Sequence, residues 1–131
     1  MKIEEQHASV LIVDDSPTET YKMETALTKN GFTVFKADNG VDGVAAAKKH
    51  LPDVVLMDVV MPGLNGFQAT RQLTQAPETA HIPVIIVTTK DQQTDKLWGK
   101  RQGAKGYLVK PVDEKNLIEC VRQIMQGAVL L

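Results

Sequence analysis

Asp58 closes the run Asp53-Val54-Val55-Leu56-Met57-Asp58, and a turn-forming stretch, Val59-Val60-Met61-Pro62-Gly63-Leu64-Asn65-Gly66, follows at once. A carboxylate at the end of an apolar run is costly to bury unless it is paired or does chemistry. Two more acids, Asp14 and Asp15, end the run Val10-Leu11-Ile12-Val13. Thr88 and Thr89 end Pro83-Val84-Ile85-Ile86-Val87, and Lys110 ends Gly106-Tyr107-Leu108-Val109. Three carboxylates brought together repel, and one takes up a proton unless a cation intervenes. An all-oxygen donor set with places left for water and phosphate suits Mg2+, or Mn2+ in its stead. A lysine beside such an ion offsets charge on a phosphoryl group, and a carboxylate can accept that group. Thr88 would then donate its hydroxyl to a phosphate oxygen.

This chemistry requires that the ends of separate runs meet. Short, β-branched, uniformly apolar runs suit strands buried on both faces of a parallel sheet. The expected strands are 10–13, 33–37, 53–58, 83–87 and 106–109, with the more polar 33–37 at an edge. Ser16-Pro17-Thr18-Glu19 reads as a capped helix start, with Glu19 closing a capping box. Met23, Ala26 and Leu27 then recur at helical spacing up to Asn30-Gly31, where Gly31 suits a left-handed cap. A second helix covers about 40–50, with Val41, Val44 and Ala47 on one face, and Pro52 ends that region. A third runs from Gly66 to about Gln75 with Ala69 and Leu73 inward. A fourth spans 91–102 and has little apolar content beyond Leu97 and Trp98. Asp113 caps the last, whose apolar positions are Leu117, Ile118, Val121, Ile124 and Met125. Five β-then-α units imply an α/β sandwich of three layers with the flavodoxin-like strand order 2-1-3-4-5. In such a sheet the carboxyl ends of the strands form one rim, where ligands bind.

With 131 residues the chain reads as one domain, from 9 to 127, after a lead-in over 1–8 and before a short tail over 128–131. A net charge of −1 gives no support to binding nucleic acid or a membrane surface. The single cysteine, Cys120, excludes an intrachain disulfide. The polar start has no apolar signal core, and no run approaches the roughly 20 residues needed to span a bilayer. A soluble cytoplasmic protein is the expectation. His7, His50 and His81 have no metal-ligand spacing and read as solvated. Gly63, Asn65 and Gly66 make no phosphate-cradling fingerprint.

In the order and type of its strand-end residues, the chain resembles the response-regulator receiver domains of two-component signalling over about residues 8–126. By that likeness Asp14 and Asp15 match the acidic metal pair, Asp58 the phosphoacceptor, and Val60 the position whose backbone carbonyl completes the metal site. Thr88 matches the switch hydroxyl, Tyr107 the rotating aromatic and Lys110 the site lysine, with a cis Lys110–Pro111 peptide. The segments Asp14–Glu19, Asp53–Thr74 and Ile82–Glu114 are similar to single-domain receivers of the chemotaxis-like system that controls type IV pili and twitching motility. The resemblance implies a sensor histidine kinase as phosphodonor. It also implies a downstream protein bound on the face of helix 91–102, strand 106–109 and the last helix. With no output domain, the chain is expected to catalyse only its own phosphorylation and dephosphorylation. Val60 and Lys90, two residues beyond Asp58 and Thr88, would flank the path of the water that removes the phosphate.

Each residue also has an ordinary reading. Asp14 and Asp15 suit a helix N-terminus, Asp58 a turn, Thr88 a strand end, and Lys110 a solvated surface. Their joint occurrence at the ends of the apolar runs favours one shared site. Tyr107 alone reads as half-buried packing, Trp98 as a shielding aromatic, and Cys120 as a packed or partly exposed thiol. The alternatives are a phosphohydrolase working through an aspartyl-phosphate, and a scaffold or phosphate sink. Adjacent acids on the first strand, in place of Asp-x-Asp, and the lack of room for a cap domain weigh against the hydrolase.

Overall fold

Apolar runs and amphipathic stretches alternate along the chain and give β1 (Ser9–Val13), α1 (Pro17–Lys29), β2 (Thr33–Ala37), α2 (Gly40–His50) and β3 (Val54–Met57). There follow α3 (Gly66–Gln75), β4 (Val84–Thr88), α4 (Gln93–Arg101), β5 (Gly106–Val109) and α5 (Glu114–Met125). The computed structural model describes residues 8–131. The expected lead-in lies outside the described residues except for Ala8, which is buried in the core.

The strands pair in parallel in the order β2-β1-β3-β4-β5, the order expected from sequence. β3 and β4 are buried throughout, β1 is buried beyond Ser9, and β2 and β5 are half-open edges. Side chains alternate between two cores, as the pleat requires. Val10, Ile12, Val54, Leu56, Ile85 and Val87 pack with Met23, Ala26 and Leu27 of α1 and with Leu117, Ile118, Val121 and Ile124 of α5. Leu11, Val13, Val55, Met57, Val84 and Ile86 pack with Val44 and Ala47 of α2 and with Ala69 and Leu73 of α3. Each such aliphatic side chain contributes roughly 1.5–3 kcal/mol by leaving water.

Four local expectations need correction. β3 stops at Met57, so Asp53 and Asp58 both lie outside it. Asp53 instead accepts the Ser9 N–H at 2.8 Å. The capping box of α1 does not close on Glu19. Ser16 Oγ accepts the Glu19 N–H at 3.3 Å, but the Ser16 N–H goes to Asp14 Oδ1 at 2.9 Å. Val41 is 64% exposed, because the buried stripe of α2 is Gly40, Gly43, Val44 and Ala47, and position 41 falls well off it. Gly43 takes the inward place against the Val13 methyls, to which a Cβ would lie 2.7 and 2.8 Å away. α4 is shorter than expected, and Gly99 is its sole buried residue. His50 and His81 are exposed, as expected, although His50 stacks on Phe35 with ring centroids 4.0 Å apart. Cys120 is buried, which pushes its thiol pKa up. Among the described residues no helix is long and apolar enough to cross a membrane.

Candidate functional site

The parallel ladder continues one residue past β1, β3 and β5, and this places the chemistry. Asp14 N–H donates to Ala37 O at 3.1 Å, Asp58 N–H to Val13 O at 2.9 Å, and Lys110 N–H to Thr88 O at 2.8 Å. Each of these residues is therefore anchored by the adjoining strand, with its side chain free to turn to the rim.

At that rim Asp14, Asp15 and Asp58 each offer a carboxylate oxygen within 4.8 Å of the others. Asp14 and Asp58 are buried, whereas Asp15 is exposed. Lys110 Nζ donates to Asp14 Oδ2 at 2.7 Å and lies 3.5 Å from Asp58 Oδ2. The second oxygen of Asp14 takes the Ser16 N–H, and Asp58 Oδ1 takes the Val59 N–H at 2.8 Å. Two buried carboxylates thus share one buried ammonium, with the third acid open to water.

The electrostatics follow from this imbalance. Burial raises the pKa of Asp58, and the nearby Asp14 charge adds to the rise. The Lys110 charge, the Thr88 hydroxyl and the Val59 N–H act in the opposite direction without cancelling it. Burial works against the charge on Lys110, but its hydrogen bond to Asp14 and the charges of Asp58, Asp14 and Glu19 outweigh it and hold the pKa above the usual lysine value. A multivalent cation would relieve this acid cluster, and an all-carboxylate cluster of that size suits a hard ion with oxygen ligands.

Thr88 is fully buried, and its Oγ1 accepts the Lys90 N–H at 3.5 Å. Half-buried Tyr107 donates its hydroxyl to Lys90 O at 2.8 Å. Burial, followed by the charges of Asp95, Asp91 and Asp58, pushes the Tyr107 pKa up to about 12, so the phenol stays a neutral donor. Thr88, Lys90 and Tyr107 are thereby tied through one loop. Lys90 Nζ lies 4.0 Å from Asp95 Oδ1 on α4. Val60 presents an exposed side chain beside the site. The Lys110–Pro111 peptide is cis, as the family likeness implied.

Two glycines matter here in ways that sequence spacing did not reveal. A Cβ on Gly66 would overlap the Asp58 carbonyl oxygen and sit 2.7 Å from both Asp58 C and Val59 Cα. Gly66 N–H also donates to Val59 O at 3.0 Å, which closes the loop onto the rim. A Cβ on Gly99 would lie 3.3 Å from Tyr107 Cδ2, so α4 rests on the tyrosine ring through a residue without a side chain. The only sequence signal for Gly66 is its place at the end of a turn-rich stretch. Gly99 has no signal.

A model of the response regulator receiver domain matches residues 10–122. The chain belongs to the response-regulator receiver family. Receivers take a phosphoryl group from histidine kinases. Protein PilH of Pseudomonas aeruginosa PAO1 is 66% identical over 120 residues, covering 92% of this chain and 99% of that protein. The chemotaxis protein CheY4 of Vibrio cholerae superposes with a TM-score of 0.86 at 31% identity, over 90% of this chain and 98% of that one. The receiver domain of the sensor histidine kinase PA1611 of Pseudomonas aeruginosa PAO1 superposes with a TM-score of 0.86 at 26% identity, over 92% and 99% of the two chains. That domain was solved with a magnesium ion coordinated in its active-site cleft.

Proposed function

We propose that this receiver is a cytoplasmic response regulator switched by phosphorylation of Asp58, with 9–127 as its working unit and 128–131 as a tail. The observation that carries the reading is the buried pair Asp14 and Asp58 around Lys110, with Asp15 completing a three-carboxylate cluster. A phosphohistidine of a sensor histidine kinase is the donor. Its P–N bond breaks as an Asp58 carboxylate oxygen bonds to phosphorus, and the electron pair returns to the imidazole. Asp14, Asp15, Asp58 and the Val60 carbonyl are the residues to hold Mg2+, which when bound would offset charge on the phosphoryl oxygens. Lys110 stands 3.5 Å from Asp58 Oδ2 and neutralises an oxygen of the transferred group. Thr88 turns its hydroxyl to the same group. Through Lys90 and Tyr107, that movement shifts the population of the face made by α4, β5 and α5. The 66% identity with PilH supports the narrower role, regulation of type IV pili and twitching motility.

The test is incorporation of phosphate from a phosphohistidine donor or a small phosphodonor. Mg2+-dependent, acid-stable, base-labile label on Asp58 is expected. Label elsewhere, or label that ignores Mg2+, would overturn the reading.

The metal assignment has a separate readout in stability. Mg2+ should raise the melting temperature, since a ligand at about 100 times its Kd stabilises a fold by roughly 2.7 kcal/mol. Asp15→Asn should remove most of that gain and leave the metal-free stability within about 0.5 kcal/mol of the parent, because Asp15 is exposed. The gain should shrink as pH falls through the raised pKa of Asp58, because a protonated carboxyl is a poor ligand. An undiminished Mg2+ shift in Asp15→Asn would remove this residue from the metal site.

Val60 bears on lifetime. Its apolar side chain cannot orient an attacking water, so Val60→Asn should shorten the half-life of the phosphorylated chain several-fold. A longer half-life in the variant, measured by loss of label after donor removal, would contradict this role.

A further inference from the structure

Lys90 lies in the loop that joins the rim to α4, and its backbone is held from two sides. Its N–H donates to Thr88 Oγ1 at 3.5 Å, and its carbonyl accepts the Tyr107 hydroxyl at 2.8 Å. Its side chain is half open to water, and the ammonium lies 4.0 Å from Asp95 Oδ1. Asp95 stands in the first turn of α4, where the unpaired N–H groups of a helix start favour a carboxylate. Its two oxygens have separate partners. Oδ2 accepts the Gln92 N–H at 3.2 Å, which fixes the carboxylate, and Oδ1 faces Lys90. The Asp95 side chain is 17% exposed, so this pair is less screened than one lying open on the surface.

Charge is thereby divided between two places. Among the described residues the buried rim acids Asp14 and Asp58 pair with Lys110, while Lys90 pairs with Asp95. Thr88, two residues before Lys90, carries the hydroxyl that bears on Asp58. An ammonium on a flexible four-carbon stem, so near the rim in the chain, is drawn to negative charge added there unless another carboxylate holds it.

We propose that Asp95 is a positioning residue for phosphate loss: it tethers the Lys90 ammonium to α4 and so keeps it off the phosphoryl group of Asp58. The proposal rests on the phosphorylation-switch reading and concerns how long the phosphate lasts. In hydrolysis a water oxygen bonds to phosphorus as the bond to the Asp58 oxygen breaks. The electron pair returns to the carboxylate, and both water protons leave on the dihydrogen phosphate released. A lysine ammonium has no lone pair with which to take a proton from that water. Laid against the phosphoryl oxygens, it would block the approach of the water and stabilise the group before attack. Held by Asp95 it does neither, and the phosphate turns over faster.

The experiment labels the full chain from a small phosphodonor in Mg2+, removes the donor and times the loss of label. Asp95→Asn keeps an oxygen for the Gln92 N–H but loses the charge. It should lengthen the half-life about threefold, within the range that an ion pair near the surface supplies. Asp95→Ser, a second neutral residue suited to a helix start, should do the same, and Asp95→Glu should restore the parent value. The decisive comparison is made in Lys90→Met, where adding Asp95→Asn should leave the half-life unchanged, since the two act through one contact. An equal lengthening in that background would assign the effect to the helix start or to Tyr107 and overturn the tether. So would a half-life in Asp95→Asn and Asp95→Ser that is unchanged or shortened. Label on the parent with no lengthening in these variants refutes the tether alone. Absent label on the parent refutes the switch and the tether with it.

Discussion

Asp58→Asn is expected to abolish phosphoryl uptake and, in Mg2+-free buffer at neutral pH, to raise thermal stability. Loss of uptake follows because the amide has no anionic oxygen to attack phosphorus. The gain in stability follows from the cost of burying a charged carboxylate, to which the neighbouring Asp14 charge adds. Asp58 is buried near Asp14, and Lys110 already holds Asp14 at 2.7 Å, so the variant leaves no orphaned ammonium. Burial raises the folded-state pKa of Asp58, so the folded chain keeps that proton to a higher pH than the unfolded chain does. Its stabilising contribution is complete below the ordinary carboxylate pKa and is lost as pH rises through the raised value. Asn suffers no such loss. The stability gap between variant and parent should therefore open with rising pH across that window and stay constant above it. Uptake of label and denaturant melts at several pH values test both halves. Label retained by the variant, or a variant less stable than the parent at neutral pH, would defeat the assignment of Asp58 as a strained, buried acceptor.

Gly66→Ala is expected to be the most damaging small substitution near the rim. The added methyl meets only backbone, namely the Asp58 carbonyl and Val59 Cα, and backbone cannot swing aside. α3 would have to retreat, or the end of β3 would have to move. Overpacking of this kind costs about 3 kcal/mol. If the strand end moves, Asp58 loses its alignment with Lys110 and the metal ligands, and a displacement of about 1 Å can cost on the order of 100-fold in rate. Gly63→Ala provides the contrast. Gly63 has φ +73° with nothing within 4 Å of a Cβ. It should lose about 1 kcal/mol through the left-handed backbone alone and keep its rate of uptake. Urea denaturation with initial rates of label uptake distinguishes the two. A Gly66→Ala chain as stable and as fast as Gly63→Ala would show that the contact yields at no cost.

The apolar runs were legible because period and composition set them. Val10–Val13, Val54–Met57 and Val84–Val87 have no polar residue to place in water, and only the inner strands of a parallel sheet bury both faces. The strand-end residues stood out for the same reason, since a charged or hydroxyl group ends each run abruptly. Val41 misled because a β-branched residue three positions before Val44 looks inward. The packing of Gly43 on Val13 instead set the rotation of α2.

By itself the sequence determined the five β/α units, the edge position of β2 and the identity of the rim residues, because hydrophobic periodicity and turn chemistry are local properties. The tertiary structure alone decided that Asp14 and Asp58 share a single ammonium while Asp15 faces water, for the parallel ladder sets their register across 44 positions of chain. It also decided that Gly66 abuts the Asp58 carbonyl and that α4 rests on Tyr107 through Gly99. Such contacts depend on how closely two backbones approach, a distance that no spacing of residues encodes.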